Sequence, residues 1–175
     1  MGNRVLLVLA GLGLAGVGSW FALGGDEVAK WNDRTVALCS EFHAHAAEFA
    51  PTLKPWASGE RMDIGSFKLV DDGFAAFSRK MRESAERVKM ERPPNDPLCK
   101  QFHAAVVDFA ELQVRQLGAW GGVVDLMRKY NQPSPGEIRE VLSRIDLMGA
   151  ETSVVLNRAN QKQREMAGKF KLKVR

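Results

Sequence analysis

Apolar side chains recur at alternating steps of three and four residues from residue 28 onward, which is the spacing of one face of an α-helix. Four such stretches follow one another across short breaks, and no alternating strand pattern competes with them. Short connections between long amphipathic helices favour antiparallel neighbours. The sequence therefore predicts an all-α protein whose main domain is an antiparallel four-helix bundle. Positions expected to face its core include Trp31, Phe42, Phe49, Phe74, Phe77, Phe109, Trp120, Ile145 and Met148.

Local signals predict where several of these helices begin and end. Pro51 and Pro55 are expected to stop the first helix, because proline lacks the amide hydrogen that an interior helical residue donates. Asp96 precedes a proline in the way that a cap residue precedes the first helical position. Ser134 and Glu137 have the spacing of a capping box. The third and fourth helices should therefore start next to Asp96 and Ser134.

The first 24 residues differ in character from the rest of the chain. Residues 5–23 are nineteen uncharged, mostly apolar residues, and as a helix they would span roughly 28 Å, close to the hydrocarbon thickness of a bilayer. Arg4 precedes them and Asp26 and Glu27 follow, so the positive-inside rule predicts a cytoplasmic amino terminus. We therefore expect a single-pass membrane protein with a signal-anchor at 1–24 and a periplasmic or otherwise extracytoplasmic domain. The alternative is a cleaved signal peptide and a secreted soluble bundle.

Small residues recur on one face of this amino-terminal segment. Close contact between helices in lipid commonly uses such faces, because glycine and alanine allow two backbones to approach. We expect this face to pack against another membrane helix, although glycine and alanine are also simply frequent in apolar leaders. The residues are Gly11, Ala15, Gly18 and Ala22.

An internal repeat links two segments sixty positions apart. Residues 38–50 align with residues 98–110, and seven of the thirteen positions are identical. The identities include the chain's two cysteines and two of its three histidines. The bundle, which we delimit as residues 25–167, is therefore expected to be a duplicated helical hairpin.

Cys39, His43, Cys99 and His103 are the chemically distinctive members of the repeat, and three interpretations remain open. The first, which we favour, is a disulfide between Cys39 and Cys99, as an extracytoplasmic domain meets an oxidising compartment. The second is a Cys2His2 site for zinc or copper, or a haem held between the two histidines. The third is buried side chains without a ligand. Only the second requires a cofactor.

The last eight residues, 168–175, form a basic tail. Four of them carry positive charge, which equals the net charge of +4 for the whole chain. The remainder is neutral on balance, so a nucleic-acid-binding domain is not indicated. The tail suits contact with an anionic surface, or it is a solvated terminus. Its cations are Lys169, Lys171, Lys173 and Arg175.

The function expected from these features is not enzymatic. The chain contains no phosphate-binding glycine motif, no CxxC and no HExxH, and its mid-helix cysteines lack the context of a nucleophile. We predict a structural or accessory subunit of a membrane or cell-envelope assembly, which contacts the membrane and a protein partner and has no cofactor. The alternatives are an exported metal- or haem-binding bundle and a secreted helical bundle.

Overall fold

The computed structural model describes residues 27–172, and within them it contains four α-helices and no strand. Helix α1 spans Glu27–Ala57, α2 spans Ile64–Met90, α3 spans Pro97–Lys129 and α4 spans Pro135–Phe170. Each helix packs against the one that follows it in the chain. The all-α fold class predicted from the sequence is therefore confirmed for these residues.

Capping side chains define the starts of α3 and α4. The Asp96 carboxylate accepts a hydrogen bond of 2.9 Å from the backbone N–H of Leu98. The Ser134 hydroxyl accepts from the backbone N–H of Glu137 at 3.4 Å, and the Glu137 carboxylate accepts from the backbone N–H of Ser134 at 2.6 Å. These bonds satisfy amide groups that have no partner within the helix. Both predicted caps are confirmed.

Helix α1 continues past the two prolines that were expected to end it. Pro51 and Pro55 both lie inside the helix. The residues around them are held by tertiary contacts: Leu53 and Trp56 are buried, and the indole Nε1 of Trp56 donates to the backbone carbonyl of Tyr130 at 2.8 Å. Burial of a side chain such as Leu53 stabilises by roughly 1.5–3 kcal/mol, and several such contacts outweigh the ~3 kcal/mol that an interior proline costs. The predicted stop was therefore wrong.

Helices α1 and α3 run in the same direction and also contact each other. Three pairs of Phe and Trp rings join them, with centroid separations of 5.8, 5.4 and 6.0 Å: Trp31 with Phe102, Phe42 with Phe109, and Phe49 with Trp120. The residue numbers within these pairs differ by 71, 67 and 71. Helix α3 is therefore set against α1 with an offset of about 70 positions, whereas the internal repeat has an offset of 60.

Cys39 and Cys99 are not joined by a disulfide, which corrects the pairing predicted from the sequence. The register of α1 against α3 supplies the reason. A discrepancy of about ten positions between register and repeat corresponds to roughly 15 Å along two parallel helices, whereas the Cα atoms of a disulfide lie within ~7 Å of each other. Residues at equal positions in the repeat therefore lie at different heights in the bundle.

Buried amide groups set the position of α4 in the bundle. The Gln116 side chain donates to the backbone carbonyl of Met148 at 3.0 Å and accepts from the Thr152 hydroxyl at 3.1 Å. Near the other end of α4, the Gln163 amide donates to the side-chain oxygen of Asn32 on α1 at 2.9 Å. Such groups are costly to bury unpaired, so they favour the one register in which all are satisfied. Helix α4 is thus held with one face inward and the opposite face outward.

No helix within residues 27–172 is long and apolar enough to cross a membrane. The single-pass topology and extracytoplasmic localisation predicted from the sequence are therefore corrected, since the described helices do not support them. The apolar segment at 5–23 lies outside the described residues, as does its predicted packing face of Gly11, Ala15, Gly18 and Ala22.

Candidate functional site

The two Cys-x3-His pairs that the sequence suggested as metal ligands lie on different helices. Cys39 and His43 are in the middle of α1, and Cys99 and His103 are near the start of α3, where His103 Nε2 lies 3.1 Å from the carbonyl oxygen of Val88. Burial raises the pKa of the Cys39 thiol to about 12, so it does not offer the thiolate that metals bind. Among residues 27–172, no three His, Cys, Asp or Glu side chains form a group that could hold a metal ion. The structure does not bring the four residues together.

A polar cluster that the sequence analysis missed joins α1 to α2. His45 Nε2 lies 3.1 Å from the hydroxyl oxygen of Ser84, and this hydroxyl lies 2.7 Å from the Glu41 carboxylate. Arg87 donates to the same carboxylate at 2.9 Å. Its members come from two helices, and Glu41 and Arg87 are 46 positions apart in the chain. The local signals were a histidine, His45, at a position of the apolar stripe of α1 and a serine on the inward face of α2.

The directions of these hydrogen bonds differ from those of a nucleophilic site. Ser84 gives its single hydroxyl hydrogen to Glu41, so it accepts from the Nε2–H of His45, whereas a serine nucleophile donates to its histidine. Ser84 is also 0% exposed. Burial lowers the pKa of His45, the Lys80 ammonium lowers it further, and the Glu48 and Glu41 carboxylates partly oppose this. The cluster therefore holds α1 against α2, and its serine hydroxyl is closed to solvent.

A cavity of about 120 Å³ lies beside this cluster. Ligand pockets usually have volumes of about 300–1,000 Å³, so this cavity is too small for a cofactor such as haem. It is narrow because α1 and α2 approach closely at Gly73, where a Cβ atom would lie 3.0 Å from Cγ2 of Thr52. Its lining residues are His45, Glu48, Phe49, Gly73, Ala76, Phe77 and Lys80.

The outward face of α4 carries an uncharged row on an otherwise charged surface. Leu147 and Val154 are 72% and 71% exposed, and they are seven residues apart, which places them on the same side of the helix. On the opposite side, Ile145, Met148 and Thr152 are buried in the bundle, as predicted for the first two. All members of the outward row are exposed and follow steps of three and four. We call this row the outer stripe of α4: Ser143, Leu147, Ala150, Val154, Asn157 and Gln161.

Other exposed large apolar side chains do not form such a row. Ile64, Leu69 and Met90 on α2 are 90%, 68% and 75% exposed, but Ile64 and Leu69 lie on different sides of the helix and Met90 is about six turns further along it, so no two of them are neighbours on one face. Single exposed apolar residues are normal on protein surfaces, whereas several on one face indicate a contact site. The outer stripe is therefore the candidate functional site. Its spacing was visible in the sequence, and its exposure was not.

The basic tail is partly continuous with α4. The Lys169 ammonium pairs with the Asp96 carboxylate, and this hydrogen bond holds the pKa of Asp96 below its usual range. Lys171 caps the end of the helix with a left-handed backbone (φ 52°). Lys173 and Arg175 lie outside the described residues. Of the cations predicted to meet an anionic surface, Lys169 thus already has a partner in the bundle.

Comparisons with known protein families, with curated proteins and with solved structures found no match to this chain.

Proposed function

We propose that this protein is a non-catalytic helical bundle that acts as a structural or accessory subunit of a larger assembly and docks on a protein partner through the outer stripe of α4. The observation that carries the proposal is the exposure of Leu147 and Val154, 72% and 71%, on one side of α4. Exposed apolar area on one face is energetically unfavourable in water and becomes favourable when a partner covers it.

The rigidity of α4 supports this function. Gln116 and Thr152 hold the inward face of α4 on α3, and Gln163 holds it to Asn32 of α1. A surface on a rigid element loses little conformational entropy when it binds. The outer stripe is therefore suited to a contact made without rearrangement of the bundle.

The burial of the Ser84 hydroxyl and the raised pKa of the Cys39 thiol support a non-catalytic role. In the contact between Ser84 and His45, the serine donates its hydroxyl hydrogen to Glu41 and is fully buried. The thiol of Cys39 is held protonated by its surroundings. A catalytic site needs a nucleophile or base that a substrate can reach.

The finer architecture belongs to this proposal as well. We infer that the hairpins α1–α2 and α3–α4 descend from one duplicated hairpin, which seven identities in thirteen positions support. The contact partners of the two copies have diverged since then, because α1 and α3 pack with an offset near 70 positions instead of 60.

The test is made on the tagged full chain in its native cells, with complexes fixed by chemical crosslinking in the intact cells and then separated by size. The variant Leu147→Glu with Val154→Glu should leave the assembly and migrate at lower mass, because two carboxylates cannot be buried against a partner without a large desolvation penalty. Leu69→Glu, at a site 68% exposed on α2, is the matched control and should remain in the assembly. Retention of the double variant in a complex of unchanged size would contradict the proposal.

A further inference from the structure

A second row of residues follows the outer stripe along one side, and its charges alternate. Its members recur at every seventh residue, so they stay beside the stripe for four intervals. In heptad terms the stripe takes the a and d positions and this row takes the e positions. We call it the charged row: Glu137, Arg144, Glu151, Arg158 and Glu165.

We propose that the outer stripe binds the outer stripe of a second copy of this chain, with the two α4 helices antiparallel. This inference rests on the proposed function and names the partner of the same site. Facing e positions in an antiparallel helix pair lie close enough for salt bridges, which set orientation and register. A row whose sign alternates at each heptad is complementary to itself when one copy is reversed.

One register satisfies both the apolar and the charged contacts. With the two-fold axis midway between Leu147 and Ala150, Leu147 faces Ala150 of the second copy. Val154 then faces Ser143 of the second copy. In this register Arg144 faces Glu151 of the second copy, and Glu137 faces Arg158 of the second copy. Symmetry makes each of these contacts twice.

The neighbouring antiparallel registers, one heptad layer away, are less favourable. In one of them Arg144 faces Arg158 of the second copy, and Glu151 faces its own counterpart. In the other, Leu147 faces Ser143 of the second copy, Arg144 faces its own counterpart, and Glu137 faces Glu151 of the second copy. Like charges that face each other destabilise a helix pair.

Parallel association is opposed by the other side of the stripe. Arg139 and Asp146 lie there, at the g positions, and in a parallel pair each faces the e position five residues further along the second copy. Asp146 would then face Glu151 of the second copy, and Arg139 would face Arg144 of the second copy. Both pairs are repulsive, so the charge pattern selects the antiparallel orientation.

The charged row can make such contacts although two of its glutamates already have partners within the chain. Glu151 Oε2 accepts from the Gln116 amide at 3.3 Å and Glu137 Oε2 accepts from the backbone N–H of Ser134, and the second oxygen of each carboxylate can accept from an arginine of the second copy. Arg144 bonds Glu140 at 3.3 Å and Arg158 bonds Asp108 at 3.5 Å, but their side chains are 52% and 69% exposed and can turn to a new partner without disturbing the core. Exposed pairs of this kind contribute little to folding. The stripe from Ser143 to Gln161 is roughly 27 Å long at ~1.5 Å per residue. Its contact area is small, and we expect a weak dimer with a Kd in the micromolar range, on the order of 10–100 μM.

The test is sedimentation equilibrium of the purified full chain over a range of concentrations that brackets this value. The average mass should rise from 19.4 kDa toward about twice that value. Arg144→Glu alone and Glu151→Arg alone place like charges opposite each other and should each weaken the dimer about tenfold, since ~1.4 kcal/mol is a factor of ten. The double variant Arg144→Glu with Glu151→Arg exchanges the two charges and should restore the wild-type Kd. Circular dichroism checks that all variants stay helical.

Restoration by the double variant supports the proposal, because only a partner that carries the same exchange can compensate. A double variant as weak as the single ones, or a wild-type chain that stays monomeric throughout, overturns it. Loss of the native assembly on Leu147→Glu with Val154→Glu, combined with a monomeric purified chain, would leave the proposed function standing and remove this inference. If that variant leaves the native assembly unchanged and the charge exchange restores the dimer, this inference stands and the proposed function is removed.

Discussion

Gly73 offers a sharp test of how closely α1 and α2 pack. An alanine Cβ at this position would lie 3.0 Å from Cγ2 of Thr52 and 3.5 Å from Cδ2 of Phe49. The Thr52 methyl group cannot easily move, because threonine is stiff at χ1 and its hydroxyl donates to the backbone carbonyl of Phe49 at 2.7 Å. The change Gly73→Ala therefore forces either the side chain or the helix to shift.

Two opposing effects determine the magnitude. Replacing glycine by alanine inside a helix stabilises by about 1 kcal/mol, and overpacking of a tight contact costs about 1–3 kcal/mol. Gly73→Ala should thus lower the free energy of unfolding by up to about 2 kcal/mol. Gly118 in α3 is the matched control, because nothing lies within 4 Å of its added Cβ. Gly118→Ala should raise the free energy of unfolding by about 1 kcal/mol.

The assay is urea unfolding of the full chain followed by circular dichroism, with the slope m checked for each variant. Thr52→Ser removes the Cγ2 methyl and retains the hydroxyl. In that background Gly73→Ala should become stabilising, because the close contact is gone. If Gly73→Ala stabilises the otherwise unchanged chain as much as Gly118→Ala does, the close approach of α1 and α2 at this point is wrong.

Three further predictions concern buried and half-buried polar groups. The pKa of the Cys39 thiol, raised to about 12 from 9.0, makes its thiolate roughly 1000-fold rarer at a given pH. Alkylation by iodoacetamide at pH 8, followed by peptide mapping, should therefore be at least about 100-fold slower than in urea. Equal rates would refute the raised pKa of this thiol. Gln163→Leu leaves the Asn32 side-chain oxygen without its hydrogen bond of 2.9 Å and should lower the free energy of unfolding by about 1–3 kcal/mol in the same urea assay. The double variant Asn32→Leu with Gln163→Leu should recover part of that loss, because no buried acceptor is then left unpaired. Burial lowers the pKa of His45 from 6.5, so below that pH the unfolded chain binds more protons than the folded chain does. The free energy of unfolding should therefore be lower at pH 5.5 than at pH 7.5. An equally large decrease in the variant His45→Gln would show that another group is responsible.

The helical fold was predictable because its signals are local. Apolar steps of three and four residues specify both the helix and the face that it buries, and this placed Phe49, Phe77 and Trp120 in the core correctly. The caps at Asp96 and Ser134 were predictable for the same reason, since a cap involves residues two to three positions apart. The outer stripe of α4 obeys the same spacing. Its exposure to solvent was decided by the tertiary structure, because it depends on which side of α4 packs against α3.

The features that failed prediction all depend on contacts between helices. Pro51 and Pro55 end a helix by local rules, and only the burial of Trp56 and Leu53 shows why α1 continues. The bond between Glu41 and Arg87 links positions 46 apart, where no periodicity in the sequence connects them. A local propensity of a few kcal/mol is outweighed when distant parts of the chain supply burial.

The sequence by itself determined four amphipathic helices, their inward faces and two of their caps. The tertiary structure alone decided how far one helix slides along another. Two apolar faces can pack in several registers that differ by one turn, about 5.4 Å, and the choice among them depends on how all side chains interlock at once. The ring pairs Trp31 with Phe102 and Phe49 with Trp120 record that choice. The repeat pointed to an offset of 60, and packing set it near 70, which is why its two cysteines do not meet.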